Sequence, residues 1–164
     1  PDHTNTMSSM NNLALTLSNL GKYKESEPLF LRVIEIQTRV LGATHQKTIV
    51  TKQNFAIFLR DNTKHPEKAI PLLEKILDIR RKENIPVYLA SILTALGTTY
   101  AKCKFFNEAI DTLQESIKIR KKLLEDGYLS KGPLISSLKR LLDVYKIKAD
   151  KKNVLKIETE IDNI

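Results

Sequence analysis

The feature that most constrains this chain is that it repeats itself. Asn12-Leu13-Ala14 returns as Asn54-Phe55-Ala56, an offset of 42, and His3 and Thr6 return at that offset as His45 and Thr48. Ser26-Glu27-Pro28-Leu29 returns as Ala69-Ile70-Pro71-Leu72 at offset 43, so one residue has been inserted in the turn between the two halves of the unit. In a third unit Leu96-Gly97 stands where Phe55-Ala56 stood. There Ala69 returns as Ala109, and Ile79-Arg80-Arg81-Lys82 as Ile119-Arg120-Lys121-Lys122, both at offset 40. A weaker fourth unit places Leu138, Leu141, Leu142 and Tyr145 where the third has Leu93, Leu96, Gly97 and Tyr100, at offset 45. A period of this size marks stacked supersecondary units, none of which can bury its apolar face alone.

Each unit reads as two helices. In the first, Met10, Leu13, Ala14 and Leu17 fall on one helical face at i, i+3, i+4 and i+7. Gly21-Lys22-Tyr23 breaks the pattern, and Leu29, Phe30, Val33 and Ile36 make a second face. Leu41-Gly42 closes the unit with glycine where a C-terminal cap belongs. Pro28 and Pro71 lie near the start of their helices, where few backbone N–H groups have an intrahelical partner to lose, and Pro66 fits a first helical position. Small residues recur in register at Ala14, Ala56 and Gly97, and at Ser26, Ala69 and Ala109, as close helix approach requires. The expected fold is all-α, a solenoid of about four helical hairpins forming a single array over 1–164. The repeats run at about 3–44, 45–86, 87–130 and 131–164, the last degenerate or capping.

Composition agrees. Only 5 glycines and 6 prolines in 164 residues disfavour a turn-rich β fold, and 41% hydrophobic residues exclude a disordered chain. No apolar run reaches the length of a membrane span. The start, Pro1-Asp2-His3-Thr4, lacks the basic and apolar regions of a signal peptide. With no initiator Met, and with Pro1-Asp2-His3 matching the tail of an inter-repeat linker, the chain is expected to be a fragment of a longer array. The single Cys103 cannot pair internally, so a cytoplasmic setting is expected. A net charge of +8 admits an acidic partner, a nucleic acid or an anionic surface without choosing among them.

The spacing Leu13-Ala14, Leu17, Gly21, Tyr23, Ser26, Phe30 resembles the tetratricopeptide repeat (TPR) pattern, as does Leu96-Gly97, Tyr100, Phe106, Ala109, Leu113. The longer period here, with Asn11-Asn12-Leu13-Ala14, Gly21-Lys22-Tyr23, Glu27-Pro28-Leu29, Leu41-Gly42 and His45, is similar to the repeats of kinesin light chains. Related arrays join such repeats to nucleotide-hydrolysing modules. The resemblance implies a right-handed α–α superhelix. It is closest over 3–44 and weakest over 127–164, where Leu142 replaces the small residue; Ala95 stands where the register calls for asparagine.

No catalytic signature is present. The chain has no Gly-rich phosphate loop, no H-E-x-x-H, no G-x-S-x-G and no paired Cys, and no enzyme, cofactor or metal is expected. His3, His45 and His65 read as structural or solvent-exposed. Cys103 reads as a small buried residue.

What remains is recognition. The TPR resemblance implies that the first helix of each hairpin lines a concave groove. Carried over by register, the peptide-binding positions are Asn11, Asn12, Leu15 and Asn19 (with Ser18) in repeat one, and Gln53, Asn54, Ile57 and Arg60 in repeat two. Repeat three offers Thr94, Thr98 and Lys102 with Ala95, and repeat four offers Lys139, Arg140 and Lys146 with Asp143. Amides both donate and accept and so suit an extended peptide backbone, while Lys and Arg suit carboxylates. The expected function is a non-catalytic scaffold binding extended, acidic protein segments. The alternative role for Asn12 and Asn54 is a bridge between neighbouring helices, and, separately, that for Lys139-Arg140 is a solvated face only. Arg80-Arg81-Lys82 and Arg120-Lys121-Lys122 read as cations that favour the helix macrodipole and keep an outer face soluble. A carboxylate clamp of the chaperone-binding kind is disfavoured because Ser91 and Ala95 break its residue set. Two other readings stand beside the scaffold. One is a regulatory or self-association segment of a larger protein. The other, disfavoured by a groove without aromatic residues, is an RNA-binding repeat.

Overall fold

The computed structural model describes residues 4–164 and places eight α-helices among them. They are α1 (Thr4–Asn19), α2 (Tyr23–Leu41), α3 (Gln46–Asn62), α4 (Ala69–Glu83), α5 (Pro86–Lys102), α6 (Phe106–Glu125), α7 (Lys131–Ile147) and α8 (Lys151–Asp162), with a short 3₁₀ turn at Pro66–Lys68 before α4. No strand occurs among the described residues. The chain divides into two compact units, residues 1–72 and 73–164.

In the first unit α1 and α2 form a hairpin, and α3 packs against both. Gly21, at φ +74°, turns the chain. The Gly21 and Lys22 amides donate to the Ser18 and Leu17 carbonyls at 3.0 and 2.9 Å, the paired bonds of a Schellman cap. The core is aromatic. Phe30 is fully buried, with its ring centroid 5.8 Å from Phe55 and 5.6 Å from Phe58, and Tyr23 meets Phe58 edge-on. Val33, Ile36, Ile49 and Ala56 complete it. The small pair Ala14 and Ser26 is explained directly: both are buried, and the Ser26 hydroxyl donates to the Ala14 carbonyl at 2.8 Å. At the end of α2, Gly42 adopts φ +98°. His45 is structural, its Nδ1 accepting from the Lys47 amide as the N-cap of α3; His3 lies outside the described residues.

Two local expectations need correction. The buried stripe of α1 runs through Met7 and Ala14, with Met10 and Leu17 half-buried, and Leu13 is 51% exposed. Met7 and Ala14, seven residues apart, define the centre of the buried stripe, and Leu13, one residue from Ala14, lies about 100° round the helix at its rim. Pro28 lies inside α2, beyond its first turn, and so removes one i→i−4 hydrogen bond that a residue nearer Tyr23 would not have made. Pro71, third in α4, sits where expected, and Pro66 opens the 3₁₀ turn.

The second unit has an aliphatic core. Ala109, Leu113 and Ile117 of α6 pack with Leu134, Leu138, Leu141, Leu142, Val144 and Tyr145 of α7 and Ile157 of α8. Gly97 shows why its register demands a small residue. A Cβ added there would lie 2.7 Å from Leu113 Cγ and 3.3 Å from the Ala109 carbonyl oxygen, both on the paired helix. The α5–α6 and α7–α8 turns repeat the Schellman cap without glycine. Lys104 (φ +65°) and Ala149 (φ +55°) take the left-handed position, and the Phe105 and Asp150 amides donate to the Tyr100 and Tyr145 carbonyls at 2.9 and 3.0 Å. Asp150 caps α8 through the Asn153 amide at 3.1 Å. Cys103 is half-buried at the C-cap of α5, more exposed than a core residue.

Candidate binding face

The groove positions expected from the sequence differ in how far their polar groups are already committed. In the first unit Asn12 and Asn19 are exposed, and Asn11, Leu15, Gln53, Asn54 and Ile57 are half-buried. Among the described residues neither the Asn12 nor the Asn54 side chain makes a hydrogen bond, which removes the helix-bridging alternative for both. The bridge exists, but elsewhere: Asn62 Nδ2 on α3 donates to Ser18 Oγ on α1 at 3.1 Å. Asn11 has a buried side-chain oxygen with no partner among the described residues. Arg60 is different. It is buried and holds Asp61 through two bonds of 2.8 and 2.6 Å, so its guanidinium is largely spent on its own chain.

In the second unit Lys102, Lys139, Arg140 and Lys146 are exposed. Lys146 reaches Glu158 at 3.0 Å across the α7–α8 hairpin. Lys139 and Arg140 have no carboxylate partner among the described residues. Thr98 and Thr94 are half-buried and bond back to their own helix, at the Thr94 and Ala90 carbonyls, and Ala95 is buried. At the expected groove positions, unit two therefore offers cations with little amide character, and unit one offers amides without an accessible cation.

The sequence reading misses one cluster. Thr94 Oγ1 of α5 lies 2.8 Å from Ser116 Oγ of α6 and 3.1 Å from Ser137 Oγ of α7. The Ser116 hydroxyl also reaches the Ala90 carbonyl oxygen at 2.8 Å. Arg120, one turn along α6 from Ser116, points into this corner rather than outward. Arg80 likewise is buried, paired with Glu83 at 2.6 Å and stacked on the Tyr88 ring at 4.6 Å. The outer-face reading fails for both arginines, though it holds for exposed Lys82, Lys121 and Lys122. The available signal was the register itself, since two arginines conserved in position across units on half-apolar helices mark an inward-facing site.

A cavity of about 1400 Å³ lies elsewhere in the second unit, with Ile117, Leu138, Leu141 and Ile157 along its floor. Lysines and carboxylates alternate around its rim, Lys121 with Glu160 at 2.8 Å among them, and none of the expected groove residues lines it. Among the described residues no cluster of His, Cys, Asp and Glu could hold a metal ion, and no helix is long and apolar enough to cross a membrane.

Comparison with known proteins agrees with this architecture. Two family models, both described as tetratricopeptide repeat, match residues 5–82 and 89–127. A solved protein of Podosopora anserina, described as a kinesin light chain with nearly identical TPR-like repeats, superposes with a TM-score of 0.80. That match is 19% identical and covers 99% of this chain and 76% of that one. BtubC (BKLC) from P. vanneervenii gives 0.83 at 18% identity, over 96% of this chain and 62% of its own. Among curated proteins, response regulator aspartate phosphatase A of Bacillus subtilis (strain 168) is 36% identical over 61 residues, 37% of this chain. The match spans only 16% of that relative's length. The helical hairpins, their matched small residues and these likenesses together identify an all-α solenoid, and the chain belongs to the tetratricopeptide repeat family, with repeats resembling those of kinesin light chains.

Proposed function

We propose that this chain is a non-catalytic protein-interaction scaffold that holds extended, acidic peptide segments on the inward faces of its first-of-pair helices, within a single cytoplasmic repeat array. The carrying observation is the set of uncommitted polar groups on those helices: the free amides of Asn12 and Asn54, and the unpaired cations of Lys139 and Arg140. Amides satisfy the N–H and C=O of an extended backbone whatever its sequence. Guanidinium and ammonium groups add charge-assisted bonds to carboxylates. The committed residues, Arg60 and Lys146, contribute less because binding must first break their internal pairs.

A second reading is favoured by the match to response regulator aspartate phosphatase A: a regulatory or self-association segment of a larger protein. Light scattering separates the self-association version, because a strict monomer removes it.

The test of the first reading is a peptide-display selection on the wild type beside an Asn54→Ala, Arg140→Glu double variant. Acidic, extended motifs are expected to enrich on the wild type and vanish on the variant. Enrichment that survives the variant moves the site to another face.

A further inference from the structure

The arginine of α6 sits in an unusual electrostatic position. Arg120 is half-buried, and its hydrogen bonds run only to neutral acceptors: Ser116 Oγ at 3.4 Å, Thr94 Oγ1 at 3.3 Å and the Ala90 carbonyl oxygen at 3.5 Å. All three are long for a charged donor, whose bonds to an anion shorten to about 2.7–2.9 Å. No carboxylate lies within ion-pairing distance of it among the described residues. The charged neighbour it does have is a like one. Arg140 stands one turn beyond Ser137 on the same face of α7, and its charge adds to burial in holding the Arg120 pKa below the usual guanidinium value.

The same register one unit earlier shows what such an arginine normally has. Arg80 is satisfied by Glu83, three residues on, at 2.6 Å. The residue three beyond Arg120 is Leu123, which is buried and apolar. A cation taken partly out of water without an anion carries a desolvation cost that an incoming anion relieves. The fork of a guanidinium fits a carboxylate through two parallel bonds, and a second guanidinium alongside adds charge without blocking it.

We propose that Arg120 and Arg140 form a carboxylate-binding corner between α5, α6 and α7, taking an Asp or Glu side chain of the bound peptide, with Arg120 supplied by a second-of-pair helix. This deepens, and rests on, the peptide-binding reading above.

The test follows the arginine Nε–Hε resonances of the ¹⁵N-labelled chain during titration with an acetylated, amidated hexaglutamate peptide. The salt is held at about 0.15 M, where charges farther apart than a Debye length are screened. A saturable shift of the Arg120 resonance is expected. Arg120→Gln is expected to weaken binding about tenfold and Arg120→Lys to weaken it less, since charge is kept and the fork lost. Circular dichroism confirms that each variant is folded, and the wild-type resonance decides the matter even if one is not. An Arg120 resonance that stays fixed at saturation overturns the corner. If Asn12, Asn54 or Lys139 resonances shift in that experiment, the peptide-binding reading survives without the corner. If nothing shifts, both fall.

Discussion

Arg80 and Arg120 occupy one register, yet their surroundings assign them opposite roles. Arg80 is closed on itself, with Glu83 on its guanidinium, the Tyr88 ring beneath it and 2% of its surface exposed. Around Arg120 the equivalent of Glu83 is Leu123, and at the offset of 45 that relates α7 to α5 the equivalent of Tyr88 is Pro133, which offers no ring. A repeat therefore conserves a position without conserving its use, and a change three residues downstream turns an internal ion pair into an unpaired cation. The first hairpin extends the series, for its residue in this register is Gln37, buried, with a side-chain oxygen that has no partner among the described residues.

The largest expected effect breaks the closed corner. Arg80→Ala should cost about 3 kcal/mol in denaturant unfolding, because it empties a packed, buried site and removes the cation stacked on Tyr88. Arg120→Ala should cost about 1 kcal/mol or less, because no carboxylate is orphaned. Equal losses would erase the distinction. Exchanging the downstream residues comes next. Glu83→Leu should destabilise by about 1 kcal/mol, removing the 2.6 Å charge-assisted bond to the buried guanidinium. Leu123→Glu should instead lower hexaglutamate affinity about tenfold by occupying Arg120 internally, a change readable by the same titration. The aromatic partner gives a smaller effect: Tyr88→Leu should cost about 1 kcal/mol, and Tyr128→Leu, at a tyrosine 77% exposed in the turn before α7, under about 0.5 kcal/mol in the same unfolding assay.

A control sharpens the contrast by separating stability from binding. Lys104→Gly relieves the left-handed strain in the α5–α6 turn, at the other end of α6 from Arg120, and should raise stability by about 0.5–1 kcal/mol with unchanged peptide affinity. The smallest effect lies at high pH. Burial, and then a 2.8 Å bond to Glu74, push the Tyr100 phenol up to about 12. The fold thus favours the neutral phenol. That contribution is complete below the ordinary phenol pKa of about 10 and is lost as pH rises toward 12. Between those limits the melting temperature of Tyr100→Phe should fall less than that of the wild type.

Most of the fold was legible because repetition makes every apolar face appear several times. Ala14, Ala56, Gly97, Ser26, Ala69 and Ala109 are all buried at close helix contacts, as their recurrence indicated. The exceptions are local. Leu13 reads as core by spacing alone, but the stripe that packs is centred on Met7 and Ala14, which leaves Leu13 at its edge. Of the site, residue types were legible and commitments were not. Nothing in the string Arg60-Asp61 says that adjacent side chains will fold back on one another, and nothing in Thr94, Ser116 and Ser137 says that three hydroxyls will meet. Such encounters depend on side-chain direction, which register constrains but does not fix.

The hairpin turns at Gly21, Lys104 and Ala149 share one pattern of hydrogen bonds with three different residues at the left-handed position. Closure of each hairpin is thus written into bonds between residues a few places apart. Each of these hairpins can close on its own, with a short loop and little entropy to lose. The rate of folding should then depend weakly on how many hairpins are present, and loss of one should leave its neighbours able to form.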